Sequence, residues 1–180
     1  MRLLIAILLS GLLLQAKAQT PGPGPWLFGM SKAEVTKFES FGPYKDVSST
    51  GGVETPNGIF NGKKTNISFA FDEKGLKQIH VWAYEGRSLD DAAEAWTAAY
   101  QYLQKSYGAV EVPQIEIDPK SGPVTPEILS LAVKMHVDVL GKVQMAPEKM
   151  PAEAVVYSSF MKNDIRGSTY YYVFVYFERP

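Results

Sequence analysis

Residues 65–85 read TNISFAFDEKGLKQIHVWAYE, two alternating runs separated by a short polar turn. Ile67, Phe69 and Phe71 alternate with Asn66, Ser68 and Ala70, while Ile79, Val81 and Ala83 alternate with His80, Trp82 and Tyr84. A period of two sends successive side chains to opposite faces, so each run reads as a strand with one apolar side. Gly75 follows Asp72-Glu73-Lys74, and glycine enters the left-handed region without a Cβ penalty. A type I turn closed by a bulged glycine therefore joins the strands. That turn pairs Asp72 with Leu76, Phe69 with Ile79 and Ile67 with Val81. A slip of one residue would flip one strand's apolar set to the other face. The fold class expected from this hairpin and its neighbours is α+β, an antiparallel sheet of meanders and hairpins packed against two or three helices.

The second face of the hairpin holds His80, Trp82 and Tyr84. It reads either as a ligand or partner surface or as a face packed under another element. The next segment favours packing. Ser88 is a helix N-cap with Asp90 and Asp91 in the first turn, and Gly108 is a stop. Between them Leu89, Ala92, Ala93, Trp96, Ala99, Tyr100, Leu103 and Tyr107 recur at three- and four-residue spacing. This broad stripe needs a sheet to cover, and the Trp82 face is the nearest in sequence. The hairpin is thus read mainly as scaffold, with His80 the one residue there worth testing.

Ahead of the hairpin, Ser31 and Glu34 form a capping box, Met30 and Val35 a hydrophobic staple, and Val35, Phe38 and Phe41 a buried stripe ended by Gly42-Pro43. The Asn57-Gly58 and Asn61-Gly62 pairs signal tight turns, with short strands at Val53 to Thr55 and Gly58 to Phe60. Beyond the long helix, Val112, Ile115 and Ile117 against Glu116 and Asp118 suggest a solvated strand. Residues 125–140 carry both signals. Thr125-Pro126-Glu127 is a helix start, whereas Leu129, Leu131, Val133, Met135, Val137 and Val139 alternate strictly; capping chemistry favours the helix. His136 reads as a surface or satisfied histidine. Met145 to Pro151 reads as a rigid connector, and Ala154 to Met161 with Thr169 to Phe177 as a final hairpin. In its last strand Val173, Val175 and Phe177 share one face and Tyr170, Tyr172, Phe174 and Tyr176 the other. Nine uncharged residues in a row would aggregate at an open edge, so this strand should be central or covered.

The first 18 residues have the form of a cleavable secretory signal: Arg2, an apolar run from Leu3 to Leu14, then Ala16-Lys17-Ala18. The protein is expected in the periplasm or outside the cell. Residues 19–25 read as a Pro/Gly-rich flexible tail and 26–180 as one α+β domain, with units at 26–86 and 87–180 as an alternative. The sequence has 18 basic and 19 acidic residues; without Arg2 and Lys17 the formal charge becomes −3. Nothing in that balance calls for nucleic acid. The absence of Cys excludes disulfides, thiolate metal sites and a cysteine nucleophile. With two histidines, no G-x-S-x-G elbow and no phosphate-binding glycine loop, no catalytic set, metal site or cofactor is indicated.

Gly29-Met30-Ser31-Lys32-Ala33-Glu34-Val35 and Phe69-Ala70-Phe71-Asp72-Glu73-Lys74-Gly75-Leu76 resemble the small exported bacterial α/β modules shared by the outer-membrane assembly lipoprotein E family and the β-lactamase-inhibitor-protein-like fold. The chain departs from these in lacking a lipidated cysteine and disulfides. The resemblance covers the first half, implies non-enzymatic interaction in the envelope, and transfers no functional residue. The expected function is an exported binding or interaction module for an envelope or extracellular protein or peptide. His80, Trp82, Tyr84, Tyr170, Tyr172 and Tyr176 are its candidate ligand-binding residues. A small hydrolase using His80 as base, or a structural envelope protein without a ligand, are the alternatives.

Overall fold

The computed structural model describes residues 22–115 and 124–180, and it is organised by one eight-stranded sheet in which every pair is antiparallel. The order along the chain is α1 (Lys32–Thr36), a 3₁₀ turn (Glu39–Phe41), β1 (Lys45–Val47), β2 (Gly52–Phe60), β3 (Lys63–Asp72) and β4 (Gly75–Gly86). Then come α2 (Leu89–Tyr107), β5 (Val110–Glu111), α3 (Pro126–Leu140), β6 (Lys142–Pro147), β7 (Val155–Ile165) and β8 (Ser168–Glu178). Across the sheet the order is β1-β2-β3-β4-β8-β7-β6-β5. The meander β1 to β4 and the meander β6 to β8 thus meet through their last strands at the centre. The uncharged strand β8 lies between β4 and β7, where its backbone groups are paired on both sides.

The hairpin at residues 65–85 keeps Phe69 opposite Ile79 and Ile67 opposite Val81. At the turn, however, Asp72 pairs with Gly75 and Phe71 with Leu76, and the extra residue Lys77 restores the register at Ala70 and Gln78. Gly75 has φ +91° and lies against the chain entering α1, where Gly29 N donates to Leu76 O and Leu76 N to Met30 O. A Cβ on Gly75 would run into the carbonyl of Gly29. Gly75→Ala is therefore expected to lower stability by about 2 kcal/mol through left-handed strain and backbone displacement. Urea unfolding of the two proteins measures it.

Several short elements differ from the sequence reading. The capping box is present, with Ser31 Oγ accepting from Glu34 N and Glu34 Oε2 accepting from Ser31 N. The α-helix nevertheless stops at Thr36, and Phe41 belongs to the separate 3₁₀ turn. Asn57-Gly58 is not a hairpin turn. Strand β2 runs through it with an irregularity between Thr55 and Gly58, because Thr55 Oγ1 donates to Phe41 O and Asn57 Nδ2 to Gly42 O. The hairpin turn is Asn61-Gly62, both at positive φ. The stretch expected to be a connector at Met145 is the end of β6, and Met145 is buried. The final hairpin is longer than expected and turns at Arg166-Gly167. Of the Pro/Gly tail, Gly22 and Pro23 are buried, with Gly22 against the Phe177 ring. The signal segment and Glu116, Ile117 and Asp118 lie outside the described residues.

Residues 126–140 form a helix, with Thr125 Oγ1 accepting from Ile128 N and Pro126 in the first turn. Its alternating pattern arises because two sides are apolar. Leu129, Val133 and Val137 are buried, while Leu131, Met135 and Val139 point outward, with Val139 83% exposed.

All the large helices sit on one face of the sheet. That face presents Ile67, Ile79, Val81, Val156, Phe160, Val173, Val175 and Phe177, each fully buried. On α2, Trp96 packs 6.4 Å from Phe160, and Tyr102 lies 4.6 Å from Phe60 and 6.4 Å from Phe177. Near the N-terminus, Trp26 packs against Phe41 and Phe69 on the same side, at 4.8 and 4.7 Å. This overturns the expectation that α2 covers the Trp82 face. The stripe on α2 chose the aliphatic side, where β-branched and phenylalanine side chains of four strands offer a uniform bed.

Candidate functional site

The other face of the sheet is layered in registered rows. The first row runs Lys45, Glu54, Ser68, His80, Tyr176, Tyr157 across six strands. The second runs Asn66, Trp82, Phe174, Ser159, Gln144, and the third Glu85, Tyr172, Met161, Lys142. Because directly opposed residues share a face, the aromatic members of β4, β8 and β7 converge on one field. No described helix lies over it.

The geometry limits what this field can present. His80 and Tyr176 stack at 4.3 Å with planes 17° apart, and Tyr176 stacks on Tyr157 at 4.5 Å and 15°. Their ring faces are spent on one another, so the row turns edges and phenol hydroxyls outward. Phe174 fills the centre, 4.7 Å from His80 and 5.0 Å from Trp82 in edge-to-face contacts, and is only 8% exposed. Trp82 Nε1 donates to Ser68 Oγ at 3.4 Å. Burial, with the Tyr157 phenol beside it, pushes the Tyr176 hydroxyl up to about 12, and Tyr157 is raised by burial and by Glu178. Both phenols are neutral in the physiological range and can donate or accept.

His80 is the exceptional member. Its Nε2 is buried and meets no hydrogen-bond partner among the described residues, and desolvation lowers its pKa from 6.5 to about 4. Among the described residues no hydroxyl or carboxylate is hydrogen-bonded to it, so it has neither a nucleophile to activate nor the basicity to do so near neutral pH. His136 sits far from this face on α3, its Nδ1 2.8 Å from Ala132 O.

The six candidates from sequence separate into three places. His80, Trp82, Tyr172 and Tyr176 are in the field. Tyr170 is on the same face at its end, with Arg87 Cζ 4.9 Å from its ring centroid and Arg87 Nη2 donating to its hydroxyl at 2.8 Å. Tyr84 is on the opposite face. A bulge at Ala83 pairs Tyr84 with Val173, and its hydroxyl accepts from Ser88 N at 3.1 Å, so it anchors the start of α2. Sequence reasoning missed Tyr157 and Met161, although correct pairing of the last hairpin would have put both opposite the tyrosine face.

Beside the aromatic field, the turn after β1 and strands β2 to β4 enclose a cavity of about 290 Å³ lined by Ser49, Thr50, Glu54, Gln78, His80 and Trp82, among others. Comparison of the chain with protein-family models, curated proteins and solved structures finds no match.

Proposed function

We propose that the protein is an exported binding module whose recognition surface is the helix-free face of the sheet, engaging an envelope or extracellular protein or peptide. One observation carries this reading: a contiguous field of His80, Trp82, Tyr157, Tyr172, Phe174 and Tyr176 on the face over which no described helix lies. Large, rigid aromatic side chains supply contact area at low entropic cost, and phenol hydroxyls at their tips supply hydrogen bonds. Apolar fields of this kind on one face of a chain mark interaction surfaces. The edges of the sheet are poor alternatives. Strand β1 has three residues and β5 two, Pro56 interrupts β2, and Gln114 Oε1 caps Gln144 N on β6. A hydrolase using His80 gains no support from a buried imidazole without a bonded nucleophile.

Immobilised protein lacking residues 1–18 should retain a partner from an envelope extract, and the double variant Trp82→Ala/Tyr172→Ala should lose it. Equal retention by both proteins would remove the aromatic face as the recognition surface.

A further inference from the structure

Resting on that reading, we infer that the cavity beside the aromatic field is a pocket for the guanidinium of an arginine side chain presented by the partner. The cavity, about 290 Å³, is the size of one long side chain. Its walls hold acceptors. The Glu54 carboxylate takes part in no ion pair or hydrogen bond among the described residues, although Lys45 stands opposite it on β1. The Gln78 amide and the Ser49 hydroxyl are likewise unspent, and Ser68 Oγ receives only Trp82 Nε1. Among the described residues Glu54 is the only formally charged one in the lining, to which no lysine or arginine contributes.

Polar groups with unused capacity facing one concavity are what a ligand must satisfy. A guanidinium has five donors in a planar fork, which suits one carboxylate flanked by neutral acceptors. It also packs on an indole ring, and Trp82 with the edge of His80 forms the wall nearest the aromatic field. An ammonium has three donors on a compact, strongly hydrated charge and would leave more acceptors unmet. The position of the pocket at the end of the row Glu54, Ser68, His80, Tyr176 lets one extended partner reach both the pocket and the ring field.

The test uses the chain without residues 1–18 and acetyl-Ala-Arg-Ala-amide, with the citrulline and lysine tripeptides as controls. The readout is the indole ¹H–¹⁵N resonance of Trp82, assigned against Trp82→Phe. The arginine peptide should shift this resonance saturably, at least tenfold more tightly than the citrulline peptide. Glu54→Gln should weaken arginine binding at least tenfold with an unchanged circular dichroism spectrum. Ser49→Ala, at an exposed turn, should weaken it two- to fivefold and serves as a second variant should Glu54→Gln alter the fold. No saturable shift, equal binding of the citrulline peptide, or indifference to both substitutions would overturn the pocket. Equal binding of the lysine peptide would overturn the guanidinium assignment. If envelope-partner capture fails in Trp82→Ala/Tyr172→Ala yet survives Glu54→Gln, the arginine pocket falls and the aromatic-face reading stands.

Discussion

Trp96→Ala is expected to destabilise the fold by about 3–5 kcal/mol, the range for truncating a fully buried large aromatic side chain. Trp96 has no exposed surface; it lies on α2 over the aliphatic face of the sheet, with Phe160 beside it. Its removal leaves a cavity between a helix and a sheet, two elements that cannot close on it without losing contacts elsewhere. The contrast with Trp82 makes the experiment diagnostic. Trp82 is half-buried on the helix-free face, so Trp82→Ala should cost about 1–2 kcal/mol, mostly from lost contact with Phe174 and Ser68. Urea unfolding of both variants tests which face α2 covers. Equal losses, or a larger loss at Trp82, would contradict the layering.

The local pairings were legible because each rests on one period and one turn. Phe69 opposite Ile79, the Ser31–Glu34 box, the Ser88 and Thr125 caps and the apolar side of β8 all follow from short-range rules. What failed was the choice of face. Hydrophobicity alone does not distinguish a strand side bearing Ile79 and Val81 from one bearing His80 and Trp82 as the bed for a helix. The decision came from β7 and β8, whose Val156, Phe160, Val173 and Val175 extend the aliphatic side across the sheet. Those residues lie at least about 70 positions beyond the hairpin, outside any local pattern. Tyr84 was misplaced for a related reason. A bulge adds one residue to β4 and reverses the parity of everything after it, and Ala83 carries no glycine-like signal for one. The polar pocket was illegible because Glu54, Gln78 and Ser49 come from separate strands and a turn, joined only by register.

Acid should destabilise this protein through His80. Its folded-state pKa, about 4, lies below the unfolded value of 6.5, so between these values the unfolded chain binds the extra proton. Stability rises with pH wherever the unfolded state holds more protons. The contribution of neutral His80 is therefore complete above about pH 6.5 and disappears as the pH falls toward 4. Over that window the linkage amounts to about 2–3 kcal/mol, the lower figure allowing for residual exposure of the ring. Two carboxylates act in the same direction at lower pH: the Ser31 cap lowers Glu34, and Arg179 with the Lys74 amide lowers Asp72. His80→Phe separates these effects, since it preserves a ring between Tyr176 and Phe174 and removes the proton site. The difference in unfolding free energy between wild type and His80→Phe should move by about 2–3 kcal/mol in favour of the variant between pH 7.5 and pH 4. A pH-independent difference would mean that His80 ionises as freely in the fold as in the unfolded chain, and the aromatic field would then have to be open to water at its centre. A measured shift of the stated size instead makes the imidazole an uncharged spacer in the ring stack. Among the described residues lining the adjacent pocket, the one carboxylate is then that of Glu54.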